Sequence, residues 1–413
     1  MKMTLLAAWG LSASAVFAAA TPSVTDVQMS YDAVTRRVTV GYTLTDAPGI
    51  VTAMFYKDGK PVDSVRSLGG DVNRFVTNVG ARCSFVWIPE DGWGGKFVDD
   101  GSMTARVTAW ATNCPPDYMA INLTVPKGTG ILFYERAEDV PFGVESDRYK
   151  TDWLLMRKIP AKDVVWRMGS PISESGRGTA VKQTENPHLV MLTEDYYMGV
   201  YMFTHAQCRR LINGTYGTNQ SNPLAPINQL TTKALRGTTY AWPDDLHKVT
   251  DDSLMGYLRA RTGIDSFDQP TEAEWEYACR AGTFSAHYDG TDGRSTLTNL
   301  AWYVANRQGG NGTMSSVGLK LPNAWGLYDL YGNTMDRCLD FLAPYDLSQA
   351  VAVDPKGPTV AEAAAGNYTT HVCRGGSCDH DWPTTRSAYR DGNGENGSYY
   401  SGLRVRCSAS LSL

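Results

Sequence analysis

The sequence predicts an α+β protein in which an antiparallel β-sandwich precedes a larger, loop-rich domain with little regular secondary structure. Length is the first observation, because 413 residues exceed what one hydrophobic core normally organises. The second is a series of alternating apolar residues near the N-terminus, and the third is a composition with 40 Gly, 22 Tyr and 11 Trp. Such a composition is typical of long turns packed around buried aromatic rings.

Residues 1–20 have the pattern of an export signal. Lys2 supplies the positive charge, an apolar run follows, and Ala18 and Ala20 form an A-x-A cleavage motif. No later segment approaches the roughly 18 consecutive apolar residues of a membrane span. We therefore expect a secreted protein, or a periplasmic or cell-surface one, without a membrane span.

Residues 21–125 are predicted to form the sandwich, with an immunoglobulin-like arrangement of short strands. Val38, Val40, Tyr42 and Leu44 alternate with polar residues, as in a strand with one buried face. Cys83 and Cys114 adjoin predicted strands, and the alternatives are a disulfide or two buried thiols.

The formal net charge is −5, and no run of Lys or Arg occurs. This argues against a nucleic-acid partner, which would require a basic surface. The expected partner is instead an extracellular ligand or another protein.

Composition shifts towards polar, Gly and Pro residues at 126–152, which we interpret as a linker, and 153–413 form the second domain. Its helices are short and carry start signals. Thr204 with Gln207, and Thr271 with Glu274, fit capping boxes, and Gly263 ends a third helix.

Several strings in the second domain resemble one family in their order. They are WRMGS at 166–170, NPHLVMLTEDYYMGVYMFT at 186–204, PTEAEWEYACRAGT at 270–283, LPNAWGLYDLYGN at 321–333, RGGS at 374–377, RSAYR at 386–390 and SGLR at 401–404. The domain resembles the formylglycine-generating enzymes, also called sulfatase-modifying factors, over roughly residues 150–407. The resemblance implies a C-type-lectin-like fold, and it does not extend to the N-terminal domain.

The resemblance also locates a reactive loop after RGGS. Active relatives carry two cysteines there, five positions apart, which bind copper and oxidise a cysteine of a client sulfatase. Here the corresponding positions hold His380 and Thr385. Two-coordinate copper requires both thiolates, so copper is not expected.

The string CDHDW offers other chemistry. Cys378 and His380 are the candidate catalytic residues, and with Asp379 and Asp381 they are possible metal ligands. The alternative is a polar surface loop, since adjacent residues rarely point the same way. In that case Asp379, Asp381 and Trp382 are candidates to face a ligand, together with the loop DGNGENGSYY at 391–400.

A calcium site is the remaining metal hypothesis. In calcium-binding relatives the matching positions supply side-chain and carbonyl oxygens, and here they are Asp329, Gly332, Thr334 and Asp336. The alternative is a turn without metal. A first calcium site would use Asn299 and the carbonyl of Leu300, but its acidic partner is not evident.

Two function hypotheses remain. The first is a binding or structural module that retains the family scaffold without the oxidase pair, a pseudoenzyme. The second is a functional family enzyme, either the formylglycine-generating oxidase or one that uses Cys378 and His380 for another oxidation or a hydrolysis. In either case, Arg374, Arg386, Arg390 and Arg404 are expected to hold loops by bonds to carbonyls or carboxylates.

Overall fold

The N-terminal unit consists of two antiparallel sheets that enclose one core. The computed structural model describes residues 20–89, 93, 101–177, 184–238, 242–244, 247–394 and 397–413, so all but the last residue of the expected export signal lies outside the described residues. The strands are β1 (Ser23–Asp32), β2 (Arg37–Thr45), β3 (Gly49–Lys57), β4 (Lys60–Pro61), β5 (Leu68–Gly70), β6 (Arg74–Val76), β7 (Arg82–Trp87) and β8 (Met103–Trp110).

One sheet has the order β1-β2-β7-β5, and the other has β4-β3-β6 with β8 on the free side of β3. The alternation predicted for β2 is confirmed, since Val38, Val40, Tyr42 and Leu44 are all fully buried. They pack between the sheets with Phe55, Phe85 and Trp87. Period-two patterning therefore places the core of this unit.

The cysteine alternatives for this unit are both corrected. Cys83 is a buried free thiol and Cys114 is an exposed one. All eight cysteines lie within the described residues, and all eight are free. Cys83 packs in the sandwich core, so its sulfur is held away from the surface that Cys114 occupies.

The second unit combines four small sheets with six short helices among the described residues. Its strands are β9 (Tyr118–Asn122), β10 (Ile131–Tyr134), β11 (Trp153–Ile159), β12 (Val164–Met168), β13 (His188–Leu192), β14 (Tyr196–Gly199), β15 (Ala301–Trp302), β16 (Tyr331–Gly332), β17 (Met335–Phe341), β18 (Ala352–Val353), β19 (Thr370–Arg374), β20 (Arg390–Gly394), β21 (Ser401–Gly402) and β22 (Arg406–Ser408). Its helices are α1 (His205–Leu211), α2 (Thr232–Arg236), α3 (Leu254–Thr262), α4 (Glu272–Arg280), α5 (Leu297–Leu300) and α6 (Val360–Ala365).

Two of these sheets organise the domain. The antiparallel sheet β10-β9-β11-β14-β22 brings the two ends of the domain together, and the sheet β20-β19-β17-β21 carries the region after RGGS. The smaller sheets are β12-β13-β18 and β15-β16. This arrangement of short helices around mostly antiparallel sheets is the predicted α+β class.

The expected linker at 126–152 differs from the observed structure. Strand β9 precedes it and pairs with both β10 and β11, so the sheet of the second unit already begins at Tyr118. The segment itself contains β10, whose Phe133 N–H donates to the Asn73 carbonyl of the sandwich at 2.8 Å. Glu135 accepts a hydrogen bond from Thr52 at 2.7 Å. Gly and Pro content indicated turns here, whereas backbone pairing with distant strands determines the structure.

The helix signals are confirmed. Both capping boxes form, at Thr204 for α1 and at Thr271 for α4. Gly263 ends α3 in the left-handed conformation. Local hydrogen bonds of this kind can be predicted from sequence because both partners lie within one turn.

Candidate functional site

The loop after RGGS begins at a double-glycine turn. Gly375 and Gly376 have φ angles of +88° and +71°, which residues with a Cβ rarely adopt. A Cβ on Gly375 would lie 2.5 Å from the Leu330 carbonyl oxygen, and one on Gly376 would lie 2.7 Å from that of Thr384. The turn thus packs tightly between β16 and the short 3₁₀ helix Trp382–Thr384. Ser377 and Cys378, which follow the turn, are both fully buried.

Cys378 is fully buried behind this turn. Its backbone N–H donates to the Asn333 carbonyl at 2.9 Å. Burial, together with the neighbouring Asp379 charge, raises the pKa of its thiol to about 12. The reactive form of cysteine is the thiolate, so Cys378 lacks the environment of a nucleophile or a copper ligand at neutral pH.

His380 is partly buried beside Tyr400. Its ring centroid lies 5.9 Å from that of Tyr400, and its Nδ1 is a buried atom without a hydrogen-bond partner. Burial lowers the pKa of the imidazole, so the ring is neutral at pH 7. Within the described chain, no hydrogen bond joins this ring to Cys378. The two candidate catalytic residues are therefore neighbours in sequence without forming a nucleophile–base pair.

Asp379 is directed inward, which differs from the expected ligand-facing position. Its carboxylate forms an ion pair with Arg307, accepts the N–H of Gly312 at 2.9 Å, and accepts the hydroxyl of Tyr400. Burial acts to raise its pKa, but these bonds and the Arg307 charge outweigh burial and lower the pKa. Asp379 therefore ties three segments together.

Asp381 and Trp382 remain nearer the surface. The Asp381 side chain, 55% exposed, accepts the N–H of Trp382 at 2.8 Å and caps the 3₁₀ helix. The Trp382 ring is half-buried against the hydrophobic cluster around Trp275. Among the described residues, no group of three His, Cys, Asp or Glu side chains is placed to hold a metal. Cys378, Asp379, His380 and Asp381 thus have different neighbours and do not converge.

Two of the expected calcium residues, Asp329 and Asp336, both contact Arg404. Asp336 accepts hydrogen bonds from Trp275 Nε1 at 2.9 Å and Arg404 Nε at 2.8 Å, while the Asp329 carbonyl accepts from Arg404 Nη2 at 3.2 Å. The Asp329 carboxylate accepts the N–H of Gly318 at 2.6 Å. In both carboxylates Oδ1 is buried without a partner. Burial raises the pKa of Asp329 to about 6.

The remaining residues of the two expected calcium sites differ in their burial. Gly332 and Thr334 are both buried, in β16 and in the bend that follows it. Asn299, in contrast, is exposed in α5, and the Leu300 carbonyl lies 3.5 Å from the Tyr288 hydroxyl. These two residues therefore do not provide a buried set of oxygen ligands for the first calcium site.

The predicted role of the arginines is confirmed. Arg386 pairs with Glu185 at 2.7 Å and with Glu174, and Arg390 pairs with Glu272 at 2.6 Å. Arg374 pairs with Glu276, and Arg404 pairs with Asp336. All four guanidinium groups are buried, so they form an internal framework, named here the arginine framework.

Sequence reasoning assigned no role to Asp340. It lies in β17 and is 4% exposed, and it lines a cavity of about 500 Å³. The available signal was a carboxylate in a strand, CLDF, whose other residues are apolar. Glu272 of α4 lines the same cavity. Because α4 and β17 are far apart in the sequence, no local pattern indicates that the two carboxyl groups lie close together.

Comparison with known proteins agrees with this arrangement. Residues 160–408 match the model of the sulfatase-modifying factor enzyme 1-like domain. The chain belongs to this family. The matched range includes the double-glycine turn, α4 and all four arginines of the framework, so the predicted family and fold class are confirmed.

Individual relatives match shorter stretches. The chain is 30% identical over 128 residues to the formylglycine-generating enzyme of Streptomyces coelicolor, covering 29% of this chain and 40% of that protein. It is 29% identical over 154 residues to the Bos taurus formylglycine-generating enzyme, covering 34% and 38%. It is also 31% identical over 143 residues to the serine/threonine-protein kinase pkn1 of Chlamydia pneumoniae, covering 34% and 21%. The chain thus spans at most 40% of the length of these relatives.

Two solved structures are similar over most of their own length. Treponema denticola variable protein 1 is 20% identical with a TM-score of 0.46, over 62% of this chain and 95% of that one. PvdO from Pseudomonas aeruginosa is 19% identical with a TM-score of 0.42, over 62% and 94%. In addition, no helix among the described residues is long and apolar enough to span a membrane.

Proposed function

We propose that this member of the sulfatase-modifying factor family is a secreted or periplasmic two-domain binding or structural module that does not oxidise sulfatases. The observation that carries the proposal is the state of Cys378, a buried thiol whose pKa is raised to about 12. The positions that the family resemblance assigns to the oxidase cysteines hold His380 and Thr385. Copper oxidation by this family requires two soft thiolate ligands, and an imidazole with a hydroxyl does not replace them.

The competing function is an oxidation or hydrolysis by Cys378 and His380. That chemistry requires a thiolate in contact with a base. Here the imidazole lies beside Tyr400, and the thiol is fully buried with its pKa raised to about 12. Asp381 and the half-buried Trp382 are better placed to meet an extracellular ligand, because the carboxylate is exposed and the ring lies beside it.

An oxidase assay tests the proposal. The purified protein would be incubated with copper, oxygen and a Cys-x-Pro-x-Arg peptide, with the Streptomyces coelicolor enzyme as the positive control, and the peptide mass would be followed. We expect no formylglycine. Formylglycine from the wild type that disappears in Cys378→Ser would overturn the proposal.

We also propose that Asp329, Gly332, Thr334 and Asp336 bind calcium. The support is the pair of buried Oδ1 atoms on Asp329 and Asp336, which have no donor within the described chain and would suit a hard cation. Calcium would add positive charge beside these two carboxylates, where Arg404 already pairs with Asp336 and Lys150 acts on Asp329. The carbonyls of Gly332 and Thr334 would complete an oxygen ligand set.

Thermal unfolding in calcium and in a chelator tests this site. Saturating calcium, at about a hundred times its Kd, should stabilise the protein by about 2.7 kcal/mol and raise Tm by several degrees. Asp329→Asn should remove the increase, since it keeps an acceptor for Gly318 but loses the charge. Asn299→Ala should retain it. An identical Tm for the wild type in calcium and in chelator would rule the site out.

A further inference from the structure

A cavity of about 500 Å³ lies at the N-terminal end of α4 and has no part in the function proposed above. The first residues of α4 and the end of β17 form its floor, and the loops at 343–346 and 355–358 form its walls. Tyr345 and His188 lie at its side with their rings tilted at 46° to each other and ring centroids 4.5 Å apart. The cavity is large enough for a small organic molecule or one long side chain.

Asp340 is the polar group at the floor. Its Oδ2 accepts the backbone N–H of Glu272 at 2.8 Å, the backbone N–H of Asp340 itself also bonds the carboxyl group, and no side chain among the described residues donates to it. Burial and the nearby Glu272 charge raise its pKa to about 8. Buried carboxyl groups normally acquire several donors, so Asp340 has capacity for a ligand.

Above Asp340 the cavity wall is formed by Gly357, which has no side chain. Gly357 has a φ of +69°, and a Cβ there would lie 3.1 Å from the Asp340 Cβ and 3.5 Å from its Oδ1. Any side chain at this position would crowd the carboxyl group. The loop at 355–358 therefore passes close to Asp340 and still leaves its carboxyl group at the cavity surface.

The charges around the cavity favour a cation. Glu272 is neutralised by Arg390 at 2.6 Å and by Arg374 at 3.4 Å. The remaining ionisable side chains at the cavity are the carboxyl groups of Asp340, Asp346 and Glu362, the imidazole of His188 and the amine of Lys356. The carboxylates of Asp346 and Glu362 therefore exceed the single amine of Lys356, even with Asp340 protonated and the Arg390 pair counted.

We propose that this cavity binds a primary ammonium group, carried by a small free amine or by a lysine side chain of a peptide. An ammonium group provides three donors and a compact charge, which match an acidic floor with unused acceptor capacity. Tyr345 and Phe341 would contact the apolar carbon chain of the ligand. This inference rests on the proposed function only in treating the chain as a binding module.

Binding should release a proton. Asp340 is largely protonated at pH 7, and a bound ammonium group favours the ionised carboxylate, so its proton passes to the buffer. The ionisable groups that surround Asp340 from neighbouring elements are Glu272 and Glu274 of α4, Cys338 of β17, Arg374 of β19, Arg390 of β20 and Lys356 of the loop. Arg374 and Arg390 are paired with Glu272, so the charge that Lys356 adds is the one that opposes an ammonium ligand.

Isothermal titration calorimetry tests the proposal with two probes, 1,5-diaminopentane and N-acetyl-lysine-amide. Each would be titrated at pH 7 in phosphate and in Tris, whose different ionisation enthalpies reveal the released proton. We expect at least one probe to bind with proton release, and which one binds distinguishes a free amine from a peptide lysine. Acetylation of the probe's amines should abolish binding. Absence of binding by both probes would overturn the inference.

Two variants locate the binding. Asp340→Asn keeps an acceptor for the Glu272 N–H but loses the charge, so affinity should fall about tenfold or more and proton release should vanish. Lys356→Gln should strengthen binding about twofold to threefold, because it removes a like charge. Unchanged affinity in a folded Asp340→Asn would contradict the proposal. If that variant does not fold, the buffer dependence of the wild type and the Lys356→Gln result decide the matter.

The two proposals fail separately. Formylglycine production overturns the binding-module function whether or not an amine binds. If no amine binds and no formylglycine forms, only the proposal that the cavity binds an ammonium group is overturned.

Discussion

The arginine framework and the loop at 377–385 contain similarly polar residues in different settings. In the framework, each buried guanidinium group faces a buried carboxylate and reaches across the domain, as Arg386 does to Glu185 at 2.7 Å. In the loop, Cys378 is fully buried and His380 partly buried, and desolvation keeps both side chains electrically neutral. The difference teaches that potentially catalytic residue types form an active site only where neighbouring elements supply a charged partner and access for a substrate.

The framework also explains why the family strings are recognisable. RSAYR, RGGS and SGLR each contain an arginine whose carboxylate partner lies far away in sequence, 201 residues for the Arg386–Glu185 bonds. Once a buried ion pair forms, removal of one partner leaves an uncompensated charge. Such pairs limit which residues can occupy these positions, whereas the loop between them has more freedom.

The largest expected effect is at Arg386. Arg386→Ala leaves Glu174 and Glu185 buried without their cation, and should lower the free energy of unfolding by about 3–5 kcal/mol. Chemical denaturation monitored by circular dichroism would measure the loss. Arg386→Lys keeps the charge but not the paired geometry, so it should fall between the wild type and Arg386→Ala.

A matched surface variant sharpens this comparison. Arg294 lies 3.6 Å from Asp381, with both side chains 55% exposed. Arg294→Ala should change stability by less than about 0.5 kcal/mol, since exposed pairs are screened by water and salt. Similar losses for Arg294→Ala and Arg386→Ala would show that burial of the framework does not matter.

The second prediction concerns thiol access in the loop. Iodoacetamide at pH 7.5 should modify the native Cys378 at least about a hundredfold more slowly than Cys114, because a thiol with a pKa near 12 is almost entirely protonated. Peptide mass spectrometry after timed quenching would measure both rates. The exposed Cys114 serves as the internal control, and the two rates should converge in denaturant. Rapid modification of native Cys378 would instead restore the enzymatic interpretation.

Sequence reasoning predicted features whose hydrogen-bond partners lie close along the chain and features that follow a periodic pattern of apolar residues. The capping boxes at Thr204 and Thr271, the alternation in β2 and the family strings all belong to this group. It did not predict that Asp379 turns inward, because its partners Arg307 and Tyr400 come from distant loops. Asp340 was missed for the same reason, since its cavity forms from segments that meet only in the folded domain.

Apart from the surface controls, the smallest effect is expected at Asp379, where the loop does use a charge. Asp379→Asn weakens the bonds to Arg307, Gly312 and Tyr400, and should cost about 1–2 kcal/mol, the range for hydrogen bonds to a charged group that is not fully buried. Because the native pKa of Asp379 is lowered, its contribution is complete above the unfolded value near 3.8 and is lost as pH falls through the native pKa. The stability difference between the wild type and Asp379→Asn should therefore be constant from pH 7 to pH 5 and shrink below pH 4.

Urea midpoints at pH 7, 5 and 3 would measure this difference. Asp381→Asn is the matched control, because asparagine caps as well as aspartate and the side chain is exposed, so its difference from the wild type should stay near zero throughout. If Asp379→Asn matched that control, the loop would be held by its glycine turn alone. If its cost did not diminish at pH 3, the shape of the side chain rather than its charge would hold Arg307 and Tyr400 in place.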